Sequence, residues 1–362
     1  MSHLFEPLTI RGVTLPNRIG IPPMCQYSAQ DGLAADWHFV HYGSLAIGGA
    51  GLIIVEATGV TAAGRISPGD LGLWDDSQVA PLARIAAFMK SQGCVPAIQL
   101  AHAGRKGSAA LGWQAPRTLG LDEGGWTPVA PSPRAFGEGY AVPEELDEAA
   151  IAGIVAAFAA AARRALAAGF EVVEIHAAHG YLLHQFLSPL SNRRSDAYGG
   201  GFENRTRLVR EVVTAVRLVW PADLPLLIRL SATDWVEGGW NVDETVALCR
   251  DLKALGVDLV DVSSAGLVPT ATISLGPGYQ TEFAAQVRRE AGLPTAAVGL
   301  ITSPAQADHI VRSGQADMVL LGREVLRDPH WPMHASQALG RVGSWPRQYL
   351  RAAPAGSSAR DS

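Results

Sequence analysis

Eight short apolar runs recur along the chain, at 18–24, 51–58, 95–101, 171–177, 225–231, 257–264, 294–301 and 316–324. They are β-branched and nearly uninterrupted, which is how parallel strands read when both faces are covered. Between them the apolar spacing turns helical. Beyond Asn204, one face collects Leu208, Val212, Val213, Val216 and Val219. The segments 242–255 and 303–313 run into Gly256 and Gly314, the residue type that closes helices. Eight strands, each followed by a helix or loop, predict an α/β fold: a single (β/α)8 TIM barrel over 1–350. A doubly wound sheet is the rival, and no G-x-G-x-x-G follows the first strand to support it.

Two stretches break the pattern. Residues 104–145 are rich in glycine and proline and predict a long, structureless insertion after the third strand, of the kind that carries function. The small polar residues of 351–362 predict a disordered tail.

Composition narrows the class. With 48% hydrophobic and 17% charged residues the chain can build a large core, and a net charge of −5 suggests neither a nucleic-acid nor a membrane-surface partner. Cys25, Cys94 and Cys249 are widely spaced and form no C-x-x-C, which fits a reducing compartment. The N-terminal stretch shows no basic and apolar leader pattern, so a cytoplasmic location is expected. The apolar run 151–162 is too short to span a membrane and predicts one helix of the barrel.

In such barrels the active site gathers at the C-terminal ends of the strands. That rule selects Pro23, Met24, Cys25 and Tyr27 from the first strand, Ala57 and Thr58 from the second, and Gln99, His102, Arg105 and Lys106 from the third. The fourth gives His176, His179 and Tyr181, the fifth Arg229, and the last two Gly299 and Gly322-Arg323. Glycines after strands seven and eight, with an arginine following, suit a phosphate cup. Simple tight turns are the other reading. Arg229 alternates with Leu227 and Ser231 toward the barrel interior. A guanidinium there needs an acceptor, either a structural partner such as Glu174 or Asp261, or a cofactor group that becomes negative.

The segment "EIHAAHGY" sets His176 and His179 three residues apart, with Tyr181 just beyond. The spacing is not the H-E-x-x-H of a helical zinc site, and the first strand has no H-x-H, so no metal is expected. One histidine can be purely structural. As a set, the three offer two donors and a phenol, suited to gripping a carbonyl oxygen and delivering a proton.

Longer motifs carry a resemblance. "PPMCQYSA", "VEATGVTAAGRISPGDLGLW", "IQLAHAGRK", "EIHAAHGYLLHQFLSPLSNRRSDAYGGGFENR", "AVGLIT" and "GREVLRDPHW" together resemble the old yellow enzyme family, most closely its short bacterial branch with a flavin-pocket cysteine. The likeness runs from Leu4 to Tyr349. It implies an FMN barrel that uses NADPH or NADH to reduce activated alkenes such as enones, enals, maleimides and nitroalkenes, with ping-pong kinetics. By position it implies that Pro23, Met24, Ala57 and Gln99 line the flavin ring, that Cys25 tunes it, and that Arg229 faces its N1/O2 edge. It places the phosphate at Gly299, Gly322 and Arg323, assigns the substrate oxygen to His176 and His179 and the proton to Tyr181, and sets Tyr27 nearby. Arg351 resembles a C-terminal arginine that enters a neighbouring subunit's pocket, although the residues flanking it depart from that pattern. A homodimer or homotetramer is implied. Lys106 falls at the pocket edge with no contact assigned. Three scattered cysteines argue against the cluster-bearing relatives that reduce dienoyl thioesters. From the residues alone, a metal-assisted or cofactor-free barrel lyase or hydrolase acting on a phosphorylated substrate stays open, as does a non-catalytic ligand-binding barrel.

Overall fold

The computed structural model describes residues 3–360. Eight parallel strands close in chain order into a barrel: β1 (Ile19–Ile21), β2 (Leu52–Gly59), β3 (Val95–Ala101), β4 (Val172–Ala177), β5 (Leu226–Ser231), β6 (Leu259–Ser263), β7 (Thr295–Val298) and β8 (Met318–Leu320). Each overlaps one of the eight apolar runs. The runs are continuous because both strand faces are buried: Ile53 and Val55 meet the surrounding helices, while Leu52 and Ile54 fill the barrel.

Inside, the layers change character from bottom to top. At the N-terminal end lie Leu52, Val95, Val172, Leu227 and Leu259, and Val13 and Leu15 seal that layer from below. Those two belong to a hairpin, Leu8–Ile10 against Val13–Leu15, that works as a plug. Arg11 at its turn fastens it, with Nε 2.6 Å from Asp258 Oδ1. Further up, four of the strands turn the interior polar, with Gln99, Glu174, Arg229 and Asp261 all buried. His176, Ser231 and Ser263 follow at the mouth.

The expected helices form, and Gly256 (φ +93°) and Gly314 (φ +75°) end two of them in the left-handed conformation that glycine adopts freely. The run 151–162 extends at both ends into a 20-residue helix, Glu148–Ala167, capped by the Asp147 side chain. Its length and composition match a membrane-spanning helix. Its packed stripe, with Ile151, Ile154, Phe158, Ala162 and Ala165 buried, makes it a barrel helix.

Two expectations need correcting. The 104–145 insertion is not structureless: it holds 3₁₀ turns at Gly104–Lys106 and Leu121–Glu123, and Val129–Ala130 pairs with Glu144–Glu145. The tail is not disordered as far as it is described, and Asp361 and Ser362 lie outside the described residues. Ser358–Ala359 pairs in parallel with Ser344–Trp345. The Arg360 guanidinium then reaches Ala46 O and Ile47 O (both 3.3 Å) and Gln92 O (3.2 Å). These are the C-terminal carbonyls of helix α1 (Asp36–Ile47) and the capping residue of α2 (Val79–Ser91). One cation therefore adds hydrogen bonds and positive charge to two helix C-terminal ends at once. Composition hides this, because a single anchoring arginine leaves the stretch looking unfoldable. Replacing Arg360 with alanine is expected to lower stability by about 1–2 kcal/mol, read as a fall of a few degrees in Tm.

Candidate active site

The ends of β7 and β8 frame a cavity of about 260 Å³, bordered by Arg229, Tyr279, Gly299, Gly322 and Arg323. Gly299 is required there. Its φ is +122°, and a Cβ would sit 2.8 Å from Gln280 Nε2 and 2.9 Å from Tyr279 Cε1. Gly322 differs, since a Cβ would meet only Pro22 and Met24 at ordinary distances. No neighbour crowds that position, and its open space belongs to the cavity. Arg323 is exposed and has no ion-pair partner among the described residues, whereas Glu324 is already paired with Arg327. A cavity lined by three arginines, one of which neutralises its single carboxylate, fits a phosphate group.

Below it lies the polar layer. Arg229 Nε is 2.9 Å from Asp261 Oδ2, so the structural partner is Asp261, directly across the β5–β6 pair. The guanidinium also borders the cavity, which makes it a pillar and a wall at once. Glu174 sits opposite Gln99 and accepts a hydrogen bond from its Nε2 at 2.8 Å. Burial, and then the Asp261 charge, push the Glu174 carboxyl up, so Glu174 is the neutral member of the layer. Gln99 donates across the strand pair, which leaves its Oε1 for whatever lies above.

The turn after β4 carries the histidines. His176 Nδ1 accepts from Ala178 N at 3.3 Å, so its proton resides on Nε2. His179 adopts φ +58° and Gly180 φ +73°. A left-handed histidine is held against a local cost of about 1 kcal/mol. Its N–H donates to Ser231 Oγ (2.9 Å), its ring Nε2 lies 2.7 Å from Ser263 Oγ, and its carbonyl accepts from Lys106 Nζ (2.9 Å). Gly180 N donates to His184 Nδ1 (2.9 Å), and His184 Nε2 rests 2.9 Å from Asp234 Oδ1. A Cβ on Gly180 would collide with Gly266 O. The three rings pack edge to face, with His176 5.3 Å from His179 and 5.0 Å from Tyr181 between centres. Burial and then the Arg229 charge hold both histidines well below their ordinary pKa, so each is a neutral donor at pH 7. Burial, and then the thiol of Cys25, push the Tyr181 hydroxyl well up, so it keeps its proton.

Pro23, Met24, Cys25 and Tyr27 follow β1 as a half-buried strip. Glu56, on β2 beside Ala57, anchors it by accepting from Gln26 N at 2.7 Å, and Glu56 in turn meets Tyr42 Oη at 3.1 Å. Burial pushes the Cys25 thiol up, as do Asp70 and Glu56, so it stays protonated. Tyr27 has φ +52° and stands edge-on to Trp113 of the insertion, 5.8 Å away. His102 and Arg105 are scaffold: His102 Nδ1 accepts from Gly104 N, and Arg105 ties Leu267 O and the carbonyls of Arg134 and Ala135.

Arg351 is the one expected site residue the chain does not bring to this cluster. It lies exposed on the turn Arg347–Ala352. Among the described residues, no three His, Cys, Asp or Glu side chains converge as metal ligands. Sequence reasoning missed Ser231 and Ser263 as partners of His179. The alternation that placed Arg229 inward would also have found Ser263, two positions beyond Asp261.

Residues 3–341 match the model of the NADH:flavin oxidoreductase / NADH oxidase family. An NADPH dehydrogenase of Geobacillus thermodenitrificans is 51% identical over 350 residues, covering 96% of this chain and 98% of its own. Morphinone reductase superposes with a TM-score of 0.78 at 29% identity, over 94% of this chain and 90% of its own. The old yellow enzyme homologue from Zymomonas mobilis gives 0.77 at 26% identity, over 92% of each chain. A closed barrel, a cationic cup where a flavin phosphate fits and a match over nearly the whole length converge: the chain belongs to the NADH:flavin oxidoreductase family of old yellow enzymes, and is an FMN-dependent enzyme that takes its electrons from NADPH or NADH.

Proposed function

We propose that this enzyme reduces the C=C bond of activated alkenes, namely enones, enals, maleimides and nitroalkenes, by a ping-pong reaction in which Tyr181 supplies the proton. The observation that carries the reading is the packed trio His176, His179 and Tyr181, with both imidazoles neutral and the phenol protonated above the Arg229 layer. FMN held in this site would supply the two-electron redox chemistry that links NAD(P)H to the alkene.

The chain's own residues do the rest. Gly299, Gly322 and Arg323 receive the phosphate of the cofactor. Pro23, Met24, Cys25, Ala57 and Gln99 line its ring, with the Cys25 thiol as a neutral neighbour. Arg229 offers a fixed positive charge to the side of the cofactor that becomes negative on reduction. His176 donates through Nε2–H to the carbonyl or nitro oxygen and His179 supports the same oxygen; each such donor contributes about 3 kcal/mol where charge develops. Tyr181 protonates the α-carbon, completing addition of H₂ across the double bond, and recovers its proton from solvent. Tyr27 shapes the mouth. Arg351 can touch a substrate only in another copy of the chain, which suits a homodimer or homotetramer. A lyase or hydrolase for phosphorylated substrates is not favoured, because residues 3–341 match a flavin oxidoreductase family.

The direct test is the visible spectrum of the purified protein, titrated anaerobically with NADPH and then with 2-cyclohexenone. Bleaching followed by return of the yellow is the expected result. A flavin that NADPH bleaches and no enone, maleimide or nitroalkene restores would reject the alkene reading.

A further inference from the structure

Lys106 is a cation close to the site that no carboxylate pairs with among the described residues. It ends the 3₁₀ turn Gly104–Lys106, directly after β3. Its ammonium donates to His179 O at 2.9 Å and Gly266 O at 3.2 Å, which joins the loops after β4 and β6. It also stands 4.8 Å from the centre of the Tyr181 ring and 4.6 Å from that of Phe136. Burial, and then the nearby charge of Arg105, pull its pKa down to about 8, so the site holds this cation at a cost. Two carbonyls and two ring faces offset that cost in part. A methionine of similar length would fill the space without any charge to desolvate, so packing alone gives no reason for a lysine.

The Tyr181 ring supplies the reason. The groups whose charge acts on its proton (Cys25, Tyr27, Asp70 and Tyr140) all oppose its loss. A cation against the ring face gains attraction as the ring turns into a phenolate. The same ammonium grips the carbonyl of left-handed His179, one of the two donors beside that ring.

We propose that Lys106 is a positioning residue for the proton-transfer step: its ammonium holds the His179 turn and stabilises the phenolate left when Tyr181 gives up its proton. The inference rests on Tyr181 being the proton donor, and the test separates the two. The holoenzyme and its Lys106→Met, Lys106→Gln and Lys106→Arg variants are followed by stopped flow, with reduction by NADPH and reoxidation by 2-cyclohexenone measured separately in H₂O and D₂O. Lys106→Met is expected to retain FMN and an unchanged flavin potential, and to reduce at close to the native rate. Its reoxidation slows by about ten- to a hundredfold, with a larger solvent isotope effect. Lys106→Arg restores most of that loss, whereas Lys106→Gln, which keeps a donor without the charge, does not. Placed on top of Tyr181→Phe, Lys106→Met costs much less than it does alone, because only its hold on the His179 turn is left to lose. Equal slowing of both half-reactions, native reoxidation in Lys106→Gln, or a full extra loss in the double variant would each overturn the proposal. If Tyr181→Phe alone leaves reoxidation untouched, it is the proton-donor reading that fails.

Discussion

Replacing Tyr181 with phenylalanine is expected to slow reoxidation of the reduced enzyme by 2-cyclohexenone by about 10²- to 10⁴-fold, the usual contribution of a positioned general acid. Reduction by NADPH needs no proton from this side chain and should stay close to native. The variant removes one oxygen and leaves the ring packed edge to face against His176, so folding and FMN content are preserved. The pH dependence has a definite sign. The Tyr181 pKa is raised by burial and then by Cys25, so its proton is present throughout the neutral range, and the wild-type reoxidation rate should not fall there through loss of the acid. His176 and His179 have lowered pKa values, so they become cations only in acid, below the ordinary histidine range. Single-turnover traces of the two half-reactions across pH test both statements. A reoxidation rate that drops with Tyr181 present and unchanged below neutral would show that the imidazoles titrate where they should not.

The second large effect concerns Arg229. Arg229→Met leaves Asp261 buried without its one ion-pair partner among the described residues, in a layer where Glu174 is already neutral. Removing one member of a buried pair costs about 3–5 kcal/mol, and urea unfolding of the apoprotein would measure that loss. Adding Asp261→Asn removes the stranded charge and should return a substantial part of it. Equal losses in the single and double variants would mean that Asp261 is not the group Arg229 compensates. In whatever fraction retains FMN, the flavin potential should become more negative, because a fixed positive charge beside the reduced cofactor has gone.

Much of this was legible in the chain because a barrel strand buried on both faces writes a continuous apolar run, and eight runs admit few other folds. The period of two also placed Arg229 inside. It left Glu174 and Asp261 both available as partners, and only the register decides, since Asp261 lies across from Arg229 while Glu174 lies across from Leu227. The rest was hidden for a common reason: the partners are remote in sequence. Ser231 and Ser263 reach His179 from two other strands, Asp234 holds His184 from the loop after β5, and Tyr42 meets Glu56 from a helix whose pattern shows only packing. The N-terminal hairpin was missed because strands of three residues leave almost no periodic signal. Arg360 was missed because the stretch around it is small and polar.

The insertion after β3 has a consequence for how such an enzyme changes over time. Its root is pinned by Arg105, which is buried and bonded to three carbonyls, while its outer part presents Trp113, 68% exposed, against Tyr27 at the mouth. Electron transfer depends on strand ends that cannot move without breaking the barrel. On the proposed function, selectivity would fall to a loop whose tip can be rewritten residue by residue. A duplicated gene could therefore acquire a new diet while its redox machinery is inherited intact, and a directed-evolution library confined to the outer insertion would search preferences without risking the fold.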